Sequence, residues 1–351
     1  MNKLIIPTGY MGSGSSAITD ILSEYDSINV ENADFEYVFL HCPNGLFDLE
    51  DKLLIGNNAV RSDEAIHNFL ETMKSLYRKD FHWISNYKNK VSSEFYQYCT
   101  DFIDQLSIFK SDKVYWYYQQ NPVNTVMRLK LLFIHIIRRI TNDKVRINRP
   151  LSYRNTCFAI PTADQFYNAS REFLNKFYTA MGRNENNILL DQLVLPHNLF
   201  RLNRYFDDDV RIIVVERDPR DVYILNKYIW MPNNNAVPYP LDCKQFCEMY
   251  KRIRDTASFN DSKILSIHFE DLIYNYDSSL NQIESFIGLD SSNHNNIRSC
   301  FNPDVSIHNT QLFKRKEFYD ESIRIIESEL SDYLYSFPNS LETEISVKAL
   351  F

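Results

Sequence analysis

The hydrophobic pattern at the start of the chain predicts a strand, a tight loop and a helix, in that order. The stretch "KLIIPTG" (residues 3–9) is a short apolar run typical of a buried strand, and it leads into a cluster of Gly and Ser residues. The next stretch, "SAITDILSEY" (16–25), has apolar residues at the i, i+3, i+4 and i+7 spacing of one helix face. The loop would therefore lie at a helix N-terminus, whose first N–H groups lack intrahelical partners.

The rest of the chain divides into a helical part and an alternating part. Residues 31–180 are mostly long amphipathic stretches such as "AIHNFLETMKSLYRKDFHWI" (65–84), which predict helices. Beyond them, short β-branched runs predict strands near residues 187–191, 210–216 and 263–268. Helical segments separate these runs, and this order favours a parallel sheet.

We therefore predict an α/β fold in which a P-loop-like parallel sheet is flanked by helices and carries a large helical insertion. Residues 1–351 would form a single domain, and residues 31–180 would form the insertion and cover the acceptor side of the sheet. Residues 319–336 would form a closing amphipathic helix.

Charge and composition narrow the classes of function. The net charge of −8 argues against a broad nucleic-acid-binding face, which needs many basic residues. The longest apolar run, residues 131–137, is too short for a transmembrane helix, which needs about 20 apolar residues. The six cysteines show no zinc-site spacing, so we expect buried free thiols in a reducing compartment rather than a zinc site. Since no apolar run is long enough for a signal-peptide core or a membrane-spanning helix, we expect a cytoplasmic protein.

The glycine distribution points to an anion site. The chain has only 7 Gly residues, and three of them, Gly9, Gly12 and Gly14, fall within six positions. The stretch nearly matches the phosphate-binding pattern G-x-x-x-x-G-K-[ST], with Ser15 in the place of the lysine and Ser16 in the last position. A bare turn is the simpler alternative. Ser15 has no charge for the outer phosphates of ATP, so ATP hydrolysis is not expected.

Two further segments carry a family resemblance. "VVERDPRDVYILNKY" (214–228) puts Arg217 at the end of a predicted strand, and "HFEDLIYNYDSSLNQIESFIGLD" (268–290) follows it. Together with the glycine loop, these segments resemble the sulfotransferase family, whose members use 3′-phosphoadenosine 5′-phosphosulfate (PAPS) and release adenosine 3′,5′-bisphosphate (PAP). Residues 301–315 occupy the place of the last nucleotide-binding loop of that family, with a divergent sequence.

The resemblance implies a set of donor contacts. The loop residues Gly12, Ser13, Gly14, Ser15 and Ser16 would surround the 5′-phosphosulfate, and Arg217 would grip the 3′-phosphate through a charge-assisted fork. No metal would be required.

The chain departs from the family pattern at two positions. Gly12 stands where many members have Lys or Arg, so the missing cation would come from Arg149, Arg154, Lys314 or Arg315. Leu225 stands where a Ser often contacts the 3′-phosphate, and Asn226 or Lys227 would replace that contact.

The acceptor side offers two candidate general bases. Glu36 and His41 lie in the stretch "NADFEYVFLHCPNG" (32–45). It follows a second predicted strand, which precedes the insertion, and lies near the carboxyl edge of the sheet, where open α/β folds bind ligands. Glu36 ranks first, because the neighbouring Phe35, Tyr37 and Phe39 would raise its pKa by burial. The alternatives are that Glu36 caps or solvates a loop and that His41 is a hydrogen-bonded structural histidine.

The sequence therefore predicts a PAPS-dependent sulfotransferase that acts on a hydroxyl group, with a saccharide or glycan precursor as the favoured acceptor. Two alternatives stay open at this point. One is a nucleotide-dependent kinase with a degenerate P-loop, and the other is a non-catalytic nucleotide-binding protein, which Gly12 in place of a basic residue would suit.

Overall fold

The structure is a computed structural model. It describes residues 2–30, 35–80, 84–111, 125–145, 147, 155–233, 238–257, 259–318 and 320–338, without the side chain of Met127.

A parallel sheet organises the fold. The strands are β1 (Leu4–Gly9), β2 (Ile28–Asn29), β3 (Phe109–Ser111), β4 (Thr156–Phe158), β5 (Asn187–Leu189), β6 (Val210–Glu216) and β7 (Ile264–His268). Five of them form one sheet in the order β2-β5-β1-β6-β7, with every neighbouring pair parallel. The strands β3 and β4 form a separate antiparallel pair. The predicted α/β class with a parallel sheet is confirmed.

Helices are the main secondary structure of the described chain. They are α1 (Ser16–Leu22), α2 (Leu46–Leu54), α3 (Ala59–Tyr77), α4 (Tyr87–Lys90), α5 (Phe95–Leu106), α6 (Thr125–Ile140), α7 (Ala163–Ala180), α8 (Leu202–Tyr205), α9 (Pro219–Ile224), α10 (Cys243–Asp255), α11 (Asp271–Tyr274), α12 (Tyr276–Ile287), α13 (Pro303–Ser306) and α14 (Ile323–Glu329). The predicted closing helix over 319–336 is shorter than expected, since α14 ends at Glu329 and a 3₁₀ turn, Ser331–Tyr333, follows it. No helix among the described residues is long and apolar enough to cross a membrane.

The chain forms two compact units. Unit 1 comprises residues 1–42, 76–95 and 174–351 and contains the five-stranded sheet. One apolar core of this unit joins the sheet to α1 and α12, where the buried side chains include Ile5, Ile213, Ile18 and Ile283. Because β1 and β6 are neighbours in the centre of the sheet, the loops that follow them start side by side.

Unit 2 comprises residues 43–75 and 96–173. It contains α2, α6, most of α3 and α5, and the β3–β4 pair, and its core includes the buried rings of Phe69, Phe102 and Phe166. The predicted insertion, 31–180, thus includes α2 to α7 and one small sheet. Its role as an acceptor-side layer stays a prediction.

Candidate donor and acceptor site

The glycine loop between β1 and α1 needs glycine at two positions. Gly12 and Gly14 have φ angles of +83° and +84°, in the left-handed region that other residues rarely adopt. A Cβ atom at Gly12 would also lie 2.7 Å from the Trp230 ring, and one at Gly14 would lie 2.8 Å from the Phe269 ring. The cluster of glycines is therefore required by backbone conformation and by close packing.

The same loop presents polar groups with few protein partners. Ser13 is buried, and its Oγ has no hydrogen-bond partner in the described part of the chain. Within that part, the N–H groups of Gly14 and Ser15 also find no acceptor. The Oγ of Ser15 accepts a hydrogen bond of 2.6 Å from Gln192 Nε2, and Ser16 is exposed. An anion in the loop would meet several hydrogen-bond donors.

Arg217 lies beside this loop. It follows β6 directly and is only 5% exposed. Its Nη1 donates to Gly12 O at 3.1 Å, its Nη2 donates to Asn309 O, and its Cζ lies 4.7 Å from the centroid of the Phe269 ring. Its Nε is buried and has no partner among the described residues. A buried guanidinium group with an unused N–H is prepared to bind an anion.

The C-terminal segment 301–315 meets the Arg217 motif through Asp221. The fully buried Asp221 carboxylate accepts hydrogen bonds from the N–H groups of Gln311, at 2.8 Å, and Phe313, at 3.4 Å. Burial, followed by the neighbouring Asp218, raises the pKa of Asp221 to about 7. The motif thus holds the segment that contains Asn309 against Arg217.

The structure gives other partners to the predicted replacement residues. The amide of Asn226 is buried, with Nδ2 donating to Tyr239 O at 2.9 Å and Oδ1 accepting from Tyr239 N at 3.3 Å. Lys227 pairs with Asp320 at 2.7 Å. These bonds hold Asn226 against the Tyr239 backbone and Lys227 against Asp320, and a contact of either residue with the 3′-phosphate stays a prediction.

The two basic residues at the end of the segment differ. Lys314 is exposed and donates to Gln311 Oε1 at 2.6 Å. Arg315 donates through Nη2 to His308 O, while its buried Nη1 has no partner in the described chain. Arg149 and Arg154 lie outside the described residues.

A cavity of about 530 Å³ opens on the other side of the glycine loop. Its polar lining comes from the loop, from residues 36–41 and from the chain after β5. The lining residues are Gly9, Tyr10, Met11, Gly12, Gly14, Ser15, Ser16, Glu36, His41, Asp191, Gln192, Leu195, His197, Pro238, Tyr239, Met249 and Ile253. These described lining residues include two carboxyl groups and no Lys or Arg.

The two candidate general bases, Glu36 and His41, both line this cavity. Glu36 lies between the buried aromatic residues Phe35 and Tyr37, and burial raises its pKa. His41 Nε2 lies 2.9 Å from Gln192 O, and burial lowers the pKa of His41 to about 4. His41 is therefore neutral at pH 7, and the carbonyl oxygen fixes its proton on Nε2.

Asp191, which follows β5, was not identified from the sequence. It is only 7% exposed, and its Oδ1 has no hydrogen-bond partner among the described residues. Burial, followed by the neighbouring Glu36 carboxylate, raises the pKa of Asp191 to about 8. Its backbone O accepts from Tyr37 N at 2.9 Å, which attaches the Glu36 segment to the end of β5.

The next residue, Gln192, links three parts of the site and was also missed. Its φ is +56°, its N–H donates to Pro7 O at 3.0 Å and its Oε1 accepts from Thr8 Oγ1 at 3.2 Å. With its bonds to Ser15 and His41, Gln192 ties β1, the glycine loop and the histidine together. The available signal was two polar residues, "DQ", at the carboxyl end of a buried strand.

The comparison with protein families assigns the chain. A family model described as "Sulfotransferase domain" matches residues 3–319. The chain belongs to the sulfotransferase family.

Solved structures give weaker similarities. The sulfotransferase domain from the curacin biosynthetic pathway is 12% identical, with a TM-score of 0.38 and coverage of 96% of this chain and 99% of that one. Sulfotransferase STF9 from Mycobacterium avium is 12% identical (TM-score 0.37; 97% and 78% covered), and a retinol dehydratase complex with androsterone and inactive cofactor PAP is 13% identical (TM-score 0.31; 96% and 83% covered). At such TM-scores these neighbours add nothing to the family assignment. No curated protein matches the sequence.

The sulfotransferase fold thus gathers some of the predicted residues and separates others. Four loop residues (Gly12, Gly14, Ser15 and Ser16), Glu36 and His41 line one cavity, and Arg217 contacts the loop at Gly12. Ser13, Asn226 and Lys314 do not belong to the described cavity lining. No group of three or more His, Cys, Asp or Glu residues in the described chain is arranged to hold a metal ion.

Proposed function

We propose that this sulfotransferase transfers a sulfuryl group from PAPS to a hydroxyl group, with a saccharide or glycan precursor as the acceptor. The observation that carries the proposal is the buried Arg217 guanidinium, 3.1 Å from the Gly12 carbonyl of the glycine loop. The Arg217 guanidinium and the glycine loop would thus provide two neighbouring anion sites. A donor with phosphate groups at two positions, such as PAPS, can occupy both.

The unpartnered donors support this choice of donor. Arg217 Nε and Arg315 Nη1 suit a 3′-phosphate, while Ser13 Oγ and the N–H groups of Gly14 and Ser15 suit the 5′-phosphosulfate. Segment 301–315, held by Asp221, would close over the 3′ end. ATP has no 3′-phosphate and would leave the Arg217 site unused, which argues against the kinase alternative.

The reaction requires a base in the cavity. The acceptor oxygen forms a bond to sulfur as the bond between sulfur and the bridging oxygen breaks, and that oxygen keeps the electron pair and leaves on PAP. The acceptor hydroxyl proton moves to a carboxylate of the cavity. Glu36 is the better base, because His41 has a lowered pKa and a proton fixed on Nε2.

Asp191 completes the acid–base arrangement. Two neighbouring carboxyl groups in a cavity without a described cation cannot both be ionised cheaply. Asp191 is the more buried of the two, so it holds the proton and leaves the negative charge on the half-buried Glu36. With Asp191 protonated, Glu36 is the carboxylate that accepts the proton of the acceptor hydroxyl.

The cavity supports a small hydroxyl-bearing acceptor. Its volume of about 530 Å³ is in the usual range for small-molecule sites, and its lining joins carboxyl and amide groups with Tyr10 and Tyr239. Sugar rings are bound by such combinations of aromatic and hydrogen-bonding groups. All six cysteines are free thiols, which supports a reducing, cytoplasmic compartment.

Calorimetric titration with PAP and with ATP–magnesium tests the donor. We expect PAP to bind tightly without metal and ATP to bind weakly, whereas a preference for ATP would favour the kinase. PAP binding without turnover on a panel of saccharides and other alcohols would favour a non-catalytic nucleotide-binding protein. The observation that favours this second candidate is the absence of Lys and Arg from the described cavity lining, since sulfuryl transfer is helped by positive charge near the leaving group.

A further inference from the structure

Helix α6 (Thr125–Ile140) exposes an apolar face that the proposed reaction does not use. Leu129, Phe133 and Ile140 are 61%, 64% and 76% exposed, although such side chains are normally buried. Val126, Leu132 and Ile136 are exposed as well. At 100° per residue these positions fall on one side of the helix, so together they form a continuous apolar stripe.

Basic residues border the stripe on both edges. Arg128 and Arg139 lie next to Leu132 on one edge, and Lys130 lies next to Phe133 on the other, as the helical spacing requires. The helix also contains Arg138, which pairs with Asp143 at 2.7 Å, and it contains no acidic residue. This concentration of positive charge is notable in a chain with a net charge of −8.

We propose that α6 docks on an anionic lipid surface. The stripe would enter the boundary between headgroups and acyl chains, and the basic side chains on its edges would contact acidic headgroups. A helix with an apolar face and basic flanks is typical of membrane-surface binding. This inference does not depend on the proposed donor or acceptor.

The charge pattern favours lipid over a second copy of the chain. Two α6 stripes packed together would bring the basic edges of both helices close to each other, and neither helix has an acidic residue to offset them. Like charges placed close together across an interface are destabilising. An anionic surface instead complements both the stripe and its edges.

Vesicle co-sedimentation of the full chain tests this inference. We expect binding to vesicles of phosphatidylcholine and phosphatidylglycerol in equal parts, much weaker binding to phosphatidylcholine alone, and loss of binding at high salt. The double variant Leu129→Glu/Phe133→Glu should abolish binding. The matched control Phe200→Glu changes a side chain that is 56% exposed elsewhere and should bind like the wild type.

The basic edge is tested separately. Arg128→Gln/Arg139→Gln should weaken binding about 25-fold, from about fivefold for each basic residue at an anionic surface. Both double variants should keep the thermal melting profile of the wild type, because the changed side chains are exposed.

Three outcomes would overturn the proposal. One is no binding of the wild type to either vesicle, and another is equal binding to both. The third is a dimer in light scattering that Leu129→Glu/Phe133→Glu converts to a monomer without any vesicle binding, which would make the stripe a contact between copies.

Discussion

The two sides of the glycine loop differ in charge. Toward the cavity, the loop faces the carboxyl groups of Glu36 and Asp191, and no Lys or Arg is among the described lining residues. Toward β6, it contacts the buried guanidinium of Arg217, with Arg315 on the same C-terminal segment as Asn309. One side is suited to accept a proton, and the other is suited to bind an anion.

A similar contrast separates two buried aspartates. Asp221 uses its carboxylate to accept the N–H groups of Gln311 and Phe313, so it organises the backbone near Arg217. Asp191 has no such partner on Oδ1 and lines the cavity. A buried carboxyl oxygen without a hydrogen-bond partner costs free energy, and such costs are characteristic of functional sites.

The acidic side is tested most strongly by Glu36→Gln. We expect kcat to fall about 10²–10⁴-fold, the usual contribution of general base catalysis, with unchanged PAP affinity. The change keeps the shape of the side chain, and His41→Ala serves as the comparison because its proton is fixed by Gln192 O. Near-full turnover in Glu36→Gln with complete loss in His41→Ala would move the base to His41.

The basic side is tested by Arg217→Ala. PAP binding should weaken by about 1.5–3 kcal/mol, the range for a hydrogen bond to a charged group, while ATP binding should change little. Arg211→Ala, at the opposite end of β6, is the matched control and should leave PAP affinity unchanged. Equal losses for PAP and ATP would mean that Arg217 only supports the loop.

The difference between the aspartates is tested through pH. The folded pKa of Asp191, about 8, lies above the ordinary value of 3.8, so the folded state binds the proton more tightly. This stabilisation is complete below about pH 4 and is lost as the pH rises to about 8. Asn does not titrate, so the Asp191→Asn variant keeps its stability over this range. The Tm of the variant minus the Tm of the wild type should therefore increase by at least about 2 °C as the pH rises from 5 to 8.

Thermal melting across this pH range makes the measurement, and the exposed Asp255→Asn provides the control. The control should keep the pH profile of the wild type. A parallel profile for Asp191→Asn would show that Asp191 is ionised in the folded protein and would remove it from the proposed carboxyl pair.

The smallest effect is expected at Lys314. Its side chain is exposed and bonded to Gln311, so Lys314→Ala should change PAP affinity by only about 0.2–1 kcal/mol. Calorimetry in low and high salt measures the change. A loss of PAP affinity as large as that of Arg217→Ala would contradict this expectation and would make Lys314 a main contact of the nucleotide.

The sequence could predict features that follow from local pattern and chain order. The apolar runs located β1, β6 and β7, and parallel strands place the loops after them at one edge, so Arg217 was expected near the glycine loop. Glu36 and His41 were expected in one place for the same reason, and both line the cavity. The donor residues in the resembling motifs stay a prediction.

Other features depend on contacts between distant parts of the chain. Asn226 follows the motif in sequence, yet its amide is bonded to the Tyr239 backbone, which no local pattern indicates. Asp191 and Gln192 look like any polar pair after a strand. Only the packing of β1, the glycine loop and residues 35–41 around them leaves Asp191 Oδ1 without a partner in the described chain and links Gln192 to all three parts.

By itself, the sequence determined the α/β class and the positions of β1, β5, β6 and β7 along the chain, because hydrophobic periodicity is a local property. The tertiary structure alone decided the strand order within the sheet, the raised pKa of Asp191 and the bonds that fix His41. These depend on burial and on pairs such as His41 and Gln192, which are 151 positions apart. Desolvation and hydrogen bonding between such distant residues exist only once the chain has folded.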